Sequence, residues 1–231
     1  MNSSLEPLRE RFRERASRDL DLLRRHLGAD DLGGEMVETT VHKLAGSAAI
    51  FGFAEIGEAA RDIDTLLSAG RRPGREMLET LISRLVAAVG AEAGTEADAA
   101  RSGTPSGATE TILIVEDDDL LRAHAERALR ALGYQVICAA DADALLAGLE
   151  ALPPVQLLFT DLMMPGAVSG DRLAREIQRR RPEVRVLFTS GRARPGGDVP
   201  GDYFLAKPYR RDALAAMVRK VLDQPADDVT T

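Results

Sequence analysis

The segment TILIVEDDDLL, residues 111–121, joins five β-branched or aliphatic residues to four consecutive carboxylic acids. Short runs of this kind are typical of strands that are buried on both faces of a sheet. Similar runs follow along the chain: YQVICA at 134–139, VQLLFTD at 155–161, VRVLFTS at 184–190 and YFLAK at 203–207. The sequence therefore predicts five strands after residue 110.

Amphipathic segments separate most of these strands and predict helices over residues 120–132, 142–152, 171–180 and 213–222. Strands that alternate with helices predict a parallel sheet covered on both faces. Five strands in about 120 residues fit the flavodoxin-like strand order. Residues 191–202 contain four glycines and two prolines, so we expect the fourth helix of such a fold to be reduced to a turn or lost.

The first 90 residues have a different pattern, with apolar residues at three- and four-residue spacing. This spacing predicts helices over residues 5–27, 35–50, 54–69 and 75–89. Four amphipathic helices with short connections predict an all-α, antiparallel four-helix bundle.

Residues 91–110 are small, polar and aperiodic, and they offer too little apolar surface to offset the entropy lost on ordering. We interpret them as a flexible linker. The expected organisation is a bundle domain at 1–90, the linker at 91–110, an α/β domain at 111–224 and a disordered tail at 225–231.

Composition excludes several classes of protein. The chain has 30 basic and 37 acidic residues, which argues against a nucleic-acid surface. Its one cysteine, Cys138, excludes an intramolecular disulfide and favours a reducing compartment. No apolar run approaches the ~20 residues of a membrane span and no secretory signal is recognisable, so we expect a cytoplasmic protein without membrane insertion.

Chemically active residues follow four of the five predicted strands. Glu116 and Asp117 end the first strand, Asp161 the third, Thr189 the fourth and Lys207 the fifth. The carboxyl ends of parallel strands meet at one edge of a sheet, which is where ligands bind in open α/β folds. Carboxylates this close would repel one another, so the cluster calls for a hard cation with oxygen ligands, and Mg²⁺ suits it best.

The motifs VEDDDLL, FTDLMMPG, LFTSG and FLAKPY, in this order and spacing, resemble the receiver domain of two-component response regulators (CheY-like). The resemblance implies that Asp161 is the phosphoacceptor. It also implies that Glu116, Asp117 and Asp161 hold Mg²⁺ together with the backbone carbonyl of Met163. A carboxylate nucleophile that attacks a phosphoryl group forms an acyl phosphate.

The same resemblance implies that Thr189 hydrogen-bonds the phosphoryl group and that Lys207 pairs with it. Phe204 matches the aromatic residue that moves inward on phosphorylation in this family, although an ordinary core residue would fit its position equally well. Tyr203 and Tyr209 flank the last strand and are expected to pack in the core or lie on the surface.

His42 in the second predicted helix differs in its surroundings from the other two histidines. It points roughly 130° away from the apolar stripe of that helix, toward solvent. Ala45, Gly46 and Ala49 are expected beside it on the exposed face, where they would leave a bare surface for another protein to approach. His26 is expected to cap the end of the first helix, and His124 to lie on the surface.

The segment HKLAGSAAIFGF, residues 42–53, resembles the histidine phosphotransfer (Hpt) domain, which is also a four-helix bundle. The resemblance covers about residues 1–90. It implies that His42 accepts a phosphoryl group on a ring nitrogen and passes it to a receiver aspartate. Ala45 stands where this family usually has a lysine.

Together these features predict a phosphorelay protein that exchanges phosphoryl groups through His42 and Asp161. Its expected partners are a sensor histidine kinase and other receiver or phosphotransfer proteins. No Walker-type loop is recognisable and Asn2 is the only asparagine, so we expect a phosphoacceptor without a kinase ATP-binding domain rather than an enzyme.

The alternative is a single-step response regulator phosphorylated only on Asp161, with the bundle as a docking or dimerisation module. A phosphatase is disfavoured because its D-x-D-x-T/V signature is missing.

Overall fold

A computed structural model describes residues 5–29, 31–90, 110–164, 168–191 and 203–224. They form two compact units. The helical unit lies within residues 5–90 and the α/β unit within residues 110–224. Almost all of the expected linker, the expected tail and most of the segment in which a reduced helix was expected lie outside the described residues.

The described residues of the helical unit form four helices, which confirms the sequence prediction. They are α1 (Glu6–Gly28), α2 (Glu35–Ser47), α3 (Ala54–Ser68) and α4 (Arg75–Gly90). Helix α1 packs against α4, α2 against α3, and α3 against α4. Helix α2 ends earlier than predicted because the chain turns tightly after Ser47 and reaches Gly52, whose φ of 89° favours glycine.

Helices α2 and α3 run antiparallel and close together. Along α2, His42 contacts Asp64 and Ala45 contacts Arg61, so residue numbers rise on α2 as they fall on α3. Ala49, in the turn after α2, contacts Gly57. A Cβ atom at Gly57 would lie 3.3 Å from the backbone nitrogen of Ala49. Small residues therefore permit the close approach of the two helices.

The expected bare surface beside His42 is wrong in its main part. Ala45 and Gly46 are buried, and Ala49 is half-buried against α3. The sequence argument assigned only the larger apolar residues of α2 to the core. Because small residues also pack inside, the buried arc of α2 is wider than that stripe.

The α/β unit has a five-stranded sheet, and every pair of neighbouring strands is parallel. Its strands are β1 (Thr111–Val115), β2 (Gln135–Ala139), β3 (Leu157–Asp161), β4 (Arg185–Ser190) and β5 (Phe204–Ala206). Their order is β2-β1-β3-β4-β5, which confirms the flavodoxin-like prediction. The described helices are α5 (Asp119–Arg130), α6 (Ala142–Ala147), α7 (Gly170–Arg180) and α8 (Arg211–Asp223).

Apolar layers cover both faces of the sheet. One layer joins the strands to α5 and α8, and it includes Ile112, Leu129 and Val218. The other joins them to α6 and α7, and it includes Leu113 and Leu173. Adjacent residues of β1 alternate between the two layers, as the period of a strand requires. Within the described residues, no helix is long and apolar enough to cross a membrane.

His124 is buried on the inner face of α5, so its expected surface position is wrong. Its ring lies 6.2 Å from that of Tyr209, measured between centroids. Burial, followed by the charges of Arg127 and Arg211, lowers the pKa of His124 to about 4 from an ordinary value of 6.5. The imidazole is therefore neutral inside the fold at neutral pH.

This burial predicts a pH-dependent stability. Between pH 6.5 and about 4 the unfolded chain binds a proton at His124 that the folded chain does not. The free energy of unfolding should therefore decrease as the pH is lowered across this window, by about 3 kcal/mol in total. In urea titrations of the full chain, His124→Leu should remove that part of the slope for the α/β unit. Parallel curves for the wild type and the variant would contradict this account.

Candidate functional site

The structure brings five of the candidate residues together at the carboxyl edge of the sheet. Glu116 follows β1, Asp161 ends β3, Thr189 lies in β4 and Lys207 follows β5. Carboxylate oxygens of Glu116, Asp117 and Asp161 lie within 4.8 Å of one another. All of these side chains are buried except that of Asp117, which is half-buried.

A buried ammonium group joins two of the carboxylates. Lys207 Nζ donates hydrogen bonds to Glu116 Oε2 at 2.7 Å and to Asp161 Oδ2 at 2.6 Å. The other oxygen of Asp161, Oδ1, accepts from the backbone N–H of Met163 at 2.9 Å. Both oxygens of Asp161 are thus held by donors, and the Met163 peptide borders the cluster.

Burial shapes the protonation of this cluster. Burial raises the pKa of Glu116 to about 8. The charge of Lys207 acts to lower this pKa, and the charge of Asp161 acts to raise it. Burial also opposes the charged form of Lys207, but Glu116 and Asp161 raise its pKa above the ordinary value. Lys207 contacts two of the three carboxylates, and oxygen atoms of all three lie within 4.8 Å of one another. Such a donor set suits a hard divalent cation.

Thr189 lies beside the acidic cluster but its hydroxyl is turned toward the neighbouring strand. The hydroxyl donates to the carbonyl of Leu205 at 2.8 Å. The register of β3 and β4 pairs Thr189 with Asp161, so the two residues are neighbours across the sheet. Its expected bond to a phosphoryl group remains a prediction, since the hydroxyl would have to rotate away from Leu205.

Gly170 is a site residue that the sequence argument missed. A Cβ atom at this position would lie 1.9 Å from the carbonyl oxygen of Asp161 and 3.0 Å from the Cα of Leu162. The start of α7 therefore packs directly on the backbone that carries Asp161, and only glycine fits there. Nothing local in the sequence signals this contact.

Asp118 has a structural role although it belongs to the acidic run. Its buried carboxylate accepts hydrogen bonds from the backbone N–H groups of Leu120 at 2.9 Å and Leu121 at 3.2 Å. Asp118 is thus the N-cap of α5. The cap fixes the turn that follows Glu116 and Asp117.

The aromatic residues near β5 occupy different environments. Phe204 is half-buried against the layer that contains α6 and α7, and Tyr203 packs against the opposite layer. Tyr209 is buried, with its ring edge-on to that of Phe159 at 5.9 Å between centroids. The inward movement of Phe204 on phosphorylation stays a prediction.

A second site lies in the helical unit around His42. Its Nδ1 atom is 3.2 Å from Oδ1 and 3.3 Å from Oδ2 of Asp64 on α3. The side chain of His42 is 22% exposed and that of Asp64 only 3%. The His42 ring is therefore in contact with a buried carboxylate and does not project freely into solvent. Its Nε2 atom makes no hydrogen bond to the residues that the structure describes.

Comparison with protein families finds one match in the helical unit and one in the α/β unit. Residues 7–92 match the Hpt domain, and residues 112–219 match the response regulator receiver domain. The chain joins an Hpt domain to a receiver domain. Both are phosphotransfer modules of two-component systems.

Curated relatives match about half of this chain. It is 34% identical over 120 residues to the sensor kinase CckA of Brucella abortus, covering 49% of this chain and 13% of that protein. It is 36% identical over 120 residues to the transcriptional regulatory protein CseB of Streptomyces avermitilis, covering 48% of each. A solved receiver domain of a hybrid histidine kinase CckA is 37% identical, covers 49% of this chain and 99% of that chain, and gives a TM-score of 0.41.

Proposed function

We propose that this protein passes phosphoryl groups between His42 and receiver aspartates, including its own Asp161. The observation that carries the proposal is the buried contact of Lys207 Nζ with Asp161 and Glu116, at 2.6 Å and 2.7 Å, inside a three-carboxylate cluster. A core would not select such a cluster, because each buried charge costs desolvation energy.

Glu116, Asp117 and Asp161 would hold Mg²⁺, together with the backbone carbonyl of Met163. The closeness of the three carboxylates supports this assignment, since a divalent cation among them would stabilise the charged form of Glu116. When bound, the ion neutralises charge on the oxygens of the transferring phosphoryl group.

Asp161 is the nucleophile in the receiver. One of its oxygens bonds to phosphorus as the phosphorus–nitrogen bond of the donor breaks, and the product is an acyl phosphate. Lys207 already contacts Oδ2 of Asp161, so its ammonium group is placed to pair with the new phosphoryl oxygens. Thr189 donates its hydroxyl to the same group after turning away from Leu205.

Asp64 acts as a positioning residue for His42. A carboxylate that accepts from Nδ1–H selects the tautomer whose lone pair lies on Nε2. Nε2 then bonds to phosphorus as the phosphorus–oxygen bond of the donor acyl phosphate breaks and its carboxylate leaves. Asp64 stabilises the positive charge that results on the ring. In the reverse step the ring leaves as a neutral imidazole that keeps its Nδ1 proton.

Replacing Asp64 tests this role. Asp64→Ala should slow phosphoryl transfer through His42 by roughly tenfold or more, because the tautomer and ring orientation are no longer fixed. Nitrogen NMR of the imidazole should show a shift from the Nδ1–H to the Nε2–H tautomer. Asp62→Ala, which removes an exposed carboxylate from the same helix, is the matched control. An unchanged tautomer in Asp64→Ala would show that Asp64 has only a structural role.

The alternative is a regulator phosphorylated on Asp161 alone, with the helical domain as a docking module. The contact between His42 and the buried Asp64 favours the relay, because a docking surface has no need of a desolvated carboxylate behind one imidazole. Labelling separates the two functions, since phosphohistidine survives alkali and acyl phosphate does not.

Full-length wild type, His42→Gln and Asp161→Asn should be treated with radiolabelled phosphoramidate and Mg²⁺. The relay predicts alkali-stable label on every chain that contains His42 and alkali-labile label on every chain that contains Asp161. The doubly substituted chain is the blank. Alkali-labile label alone, absent from Asp161→Asn, would support the single-step regulator.

A further inference from the structure

Arg61 on α3 faces the same part of α2 as Asp64. The two residues are three positions apart, which places them on one side of their helix. Arg61 Nη1 donates a hydrogen bond to the backbone carbonyl of Ala45 at 3.2 Å. Ala45 lies three residues after His42, about 4.5 Å along the axis of α2. The positive charge of Arg61 therefore lies about one helical turn from the proposed nucleophile, His42.

The guanidinium group of Arg61 has spare hydrogen-bonding capacity. Arg61 is half-buried, and the carbonyl of Ala45 is its hydrogen-bond partner among the described residues. No carboxylate of the described residues forms an ion pair with it. A guanidinium has five N–H donors, so donors beyond the one bonded to Ala45 are available to a further acceptor.

Phosphorylation of His42 would create an anion that needs a partner. A phosphoryl group carries about −1.5 to −2 charges near pH 7. The carboxylate of Asp64 already lies on the other side of the imidazole ring, 3.2 Å from Nδ1. A cation beside Nε2 would offset the repulsion, and guanidinium groups match the geometry of phosphate oxygens.

We propose that Arg61 binds the phosphoryl group carried by His42, and that its guanidinium moves from the carbonyl of Ala45 to the phosphoryl oxygens. This inference rests on the proposed function of His42. During transfer the phosphorus–Nε2 bond breaks as a phosphorus–oxygen bond to the receiver aspartate forms. The neutral imidazole leaves with the electron pair, and Arg61 stabilises the charge on the three transferring oxygens without forming a covalent bond.

Phosphorus NMR tests the contact without requiring any transfer. Full-length Asp161→Asn is phosphorylated with potassium phosphoramidate, and the phosphohistidine signal is titrated with pH. With Arg61 present, the phosphoryl group should lose its last proton at a lower pH than in Arg61→Ala, by about half a unit or more. Arg61→Lys should lie between the two. Arg71→Ala removes an exposed arginine after α3 and should titrate like the parent chain.

The rate of transfer from these chains to full-length His42→Gln gives the second measurement. Arg61→Ala should transfer roughly tenfold more slowly, and Arg61→Lys should recover part of the loss. Circular dichroism shows whether each variant keeps its helices. Superimposable phosphorus titrations of the folded Arg61→Ala variant and its parent chain would overturn the proposal for Arg61 alone. If no chain transfers its phosphoryl group, but the phosphorus titrations of Arg61→Ala and its parent chain differ, the proposed relay is overturned and the Arg61 contact is supported.

Discussion

Asp161→Asn should lose all labelling of the receiver domain by a small phosphodonor such as phosphoramidate. The carboxamide cannot form the acyl phosphate, because it has no carboxylate oxygen to act as nucleophile. The fold should survive, since the amide oxygen can still accept from the N–H of Met163 and Lys207 keeps its contact with Glu116. Intact-mass measurement before and after alkali treatment gives the result.

Removal of divalent cations should have the same effect on the unchanged chain. EDTA should suppress labelling of Asp161, and added Mg²⁺ should restore it, because phosphoryl transfer depends on charge neutralisation at the oxygens. Asp143→Asn alters an exposed carboxylate of the same domain and is the control for the Asp161→Asn substitution. Undiminished labelling in EDTA would refute the metal assignment, and labelling of Asp161→Asn would refute the phosphoacceptor.

Gly170→Ala should destabilise the receiver domain and impair its labelling together. The added Cβ atom would overlap the carbonyl oxygen of Asp161, at 1.9 Å, so either α7 or the backbone of Asp161 must shift. Overpacking against backbone costs about 2 kcal/mol or more. Urea unfolding and the labelling rate measure the two effects on the full chain.

Gly148→Ala is the matched control for this prediction. A Cβ atom at Gly148 would lie 3.8 Å from its nearest neighbour, an ordinary contact, and the backbone there is acceptable to alanine. It should change neither the unfolding midpoint nor the labelling by much. If Gly170→Ala changes the unfolding midpoint and the labelling rate no more than Gly148→Ala does, the close packing of α7 on Asp161 is not needed for stability or labelling.

The strand ends were predictable because they depend on local sequence and one topological rule. Each strand is a short apolar run, and parallel strands place their carboxyl ends at a common edge. The convergence of Glu116, Asp161 and Lys207 follows from these two facts. The direction of the Thr189 hydroxyl does not, since it depends on the neighbouring carbonyl of Leu205.

The surroundings of His42 were less predictable because they depend on contacts between helices. The spacing of the larger apolar residues predicted the core stripe of α2, but it did not predict that Ala45 and Gly46 are buried as well. Asp64 lies 22 residues from His42, so no local spacing links the two. The buried position of His124 was missed in a similar way, because a polar residue on the inner face of α5 breaks the expected pattern.

Mixing two complementary full-length variants tests the central claim most directly. The His42→Gln chain is phosphorylated on Asp161, freed of phosphodonor and added with Mg²⁺ to the Asp161→Asn chain, which retains His42. We expect alkali-stable label to appear on the second chain as alkali-labile label leaves the first, and no such label on a doubly substituted chain. If the label is only lost to water and none becomes alkali-stable, phosphoryl exchange between Asp161 and His42 is contradicted.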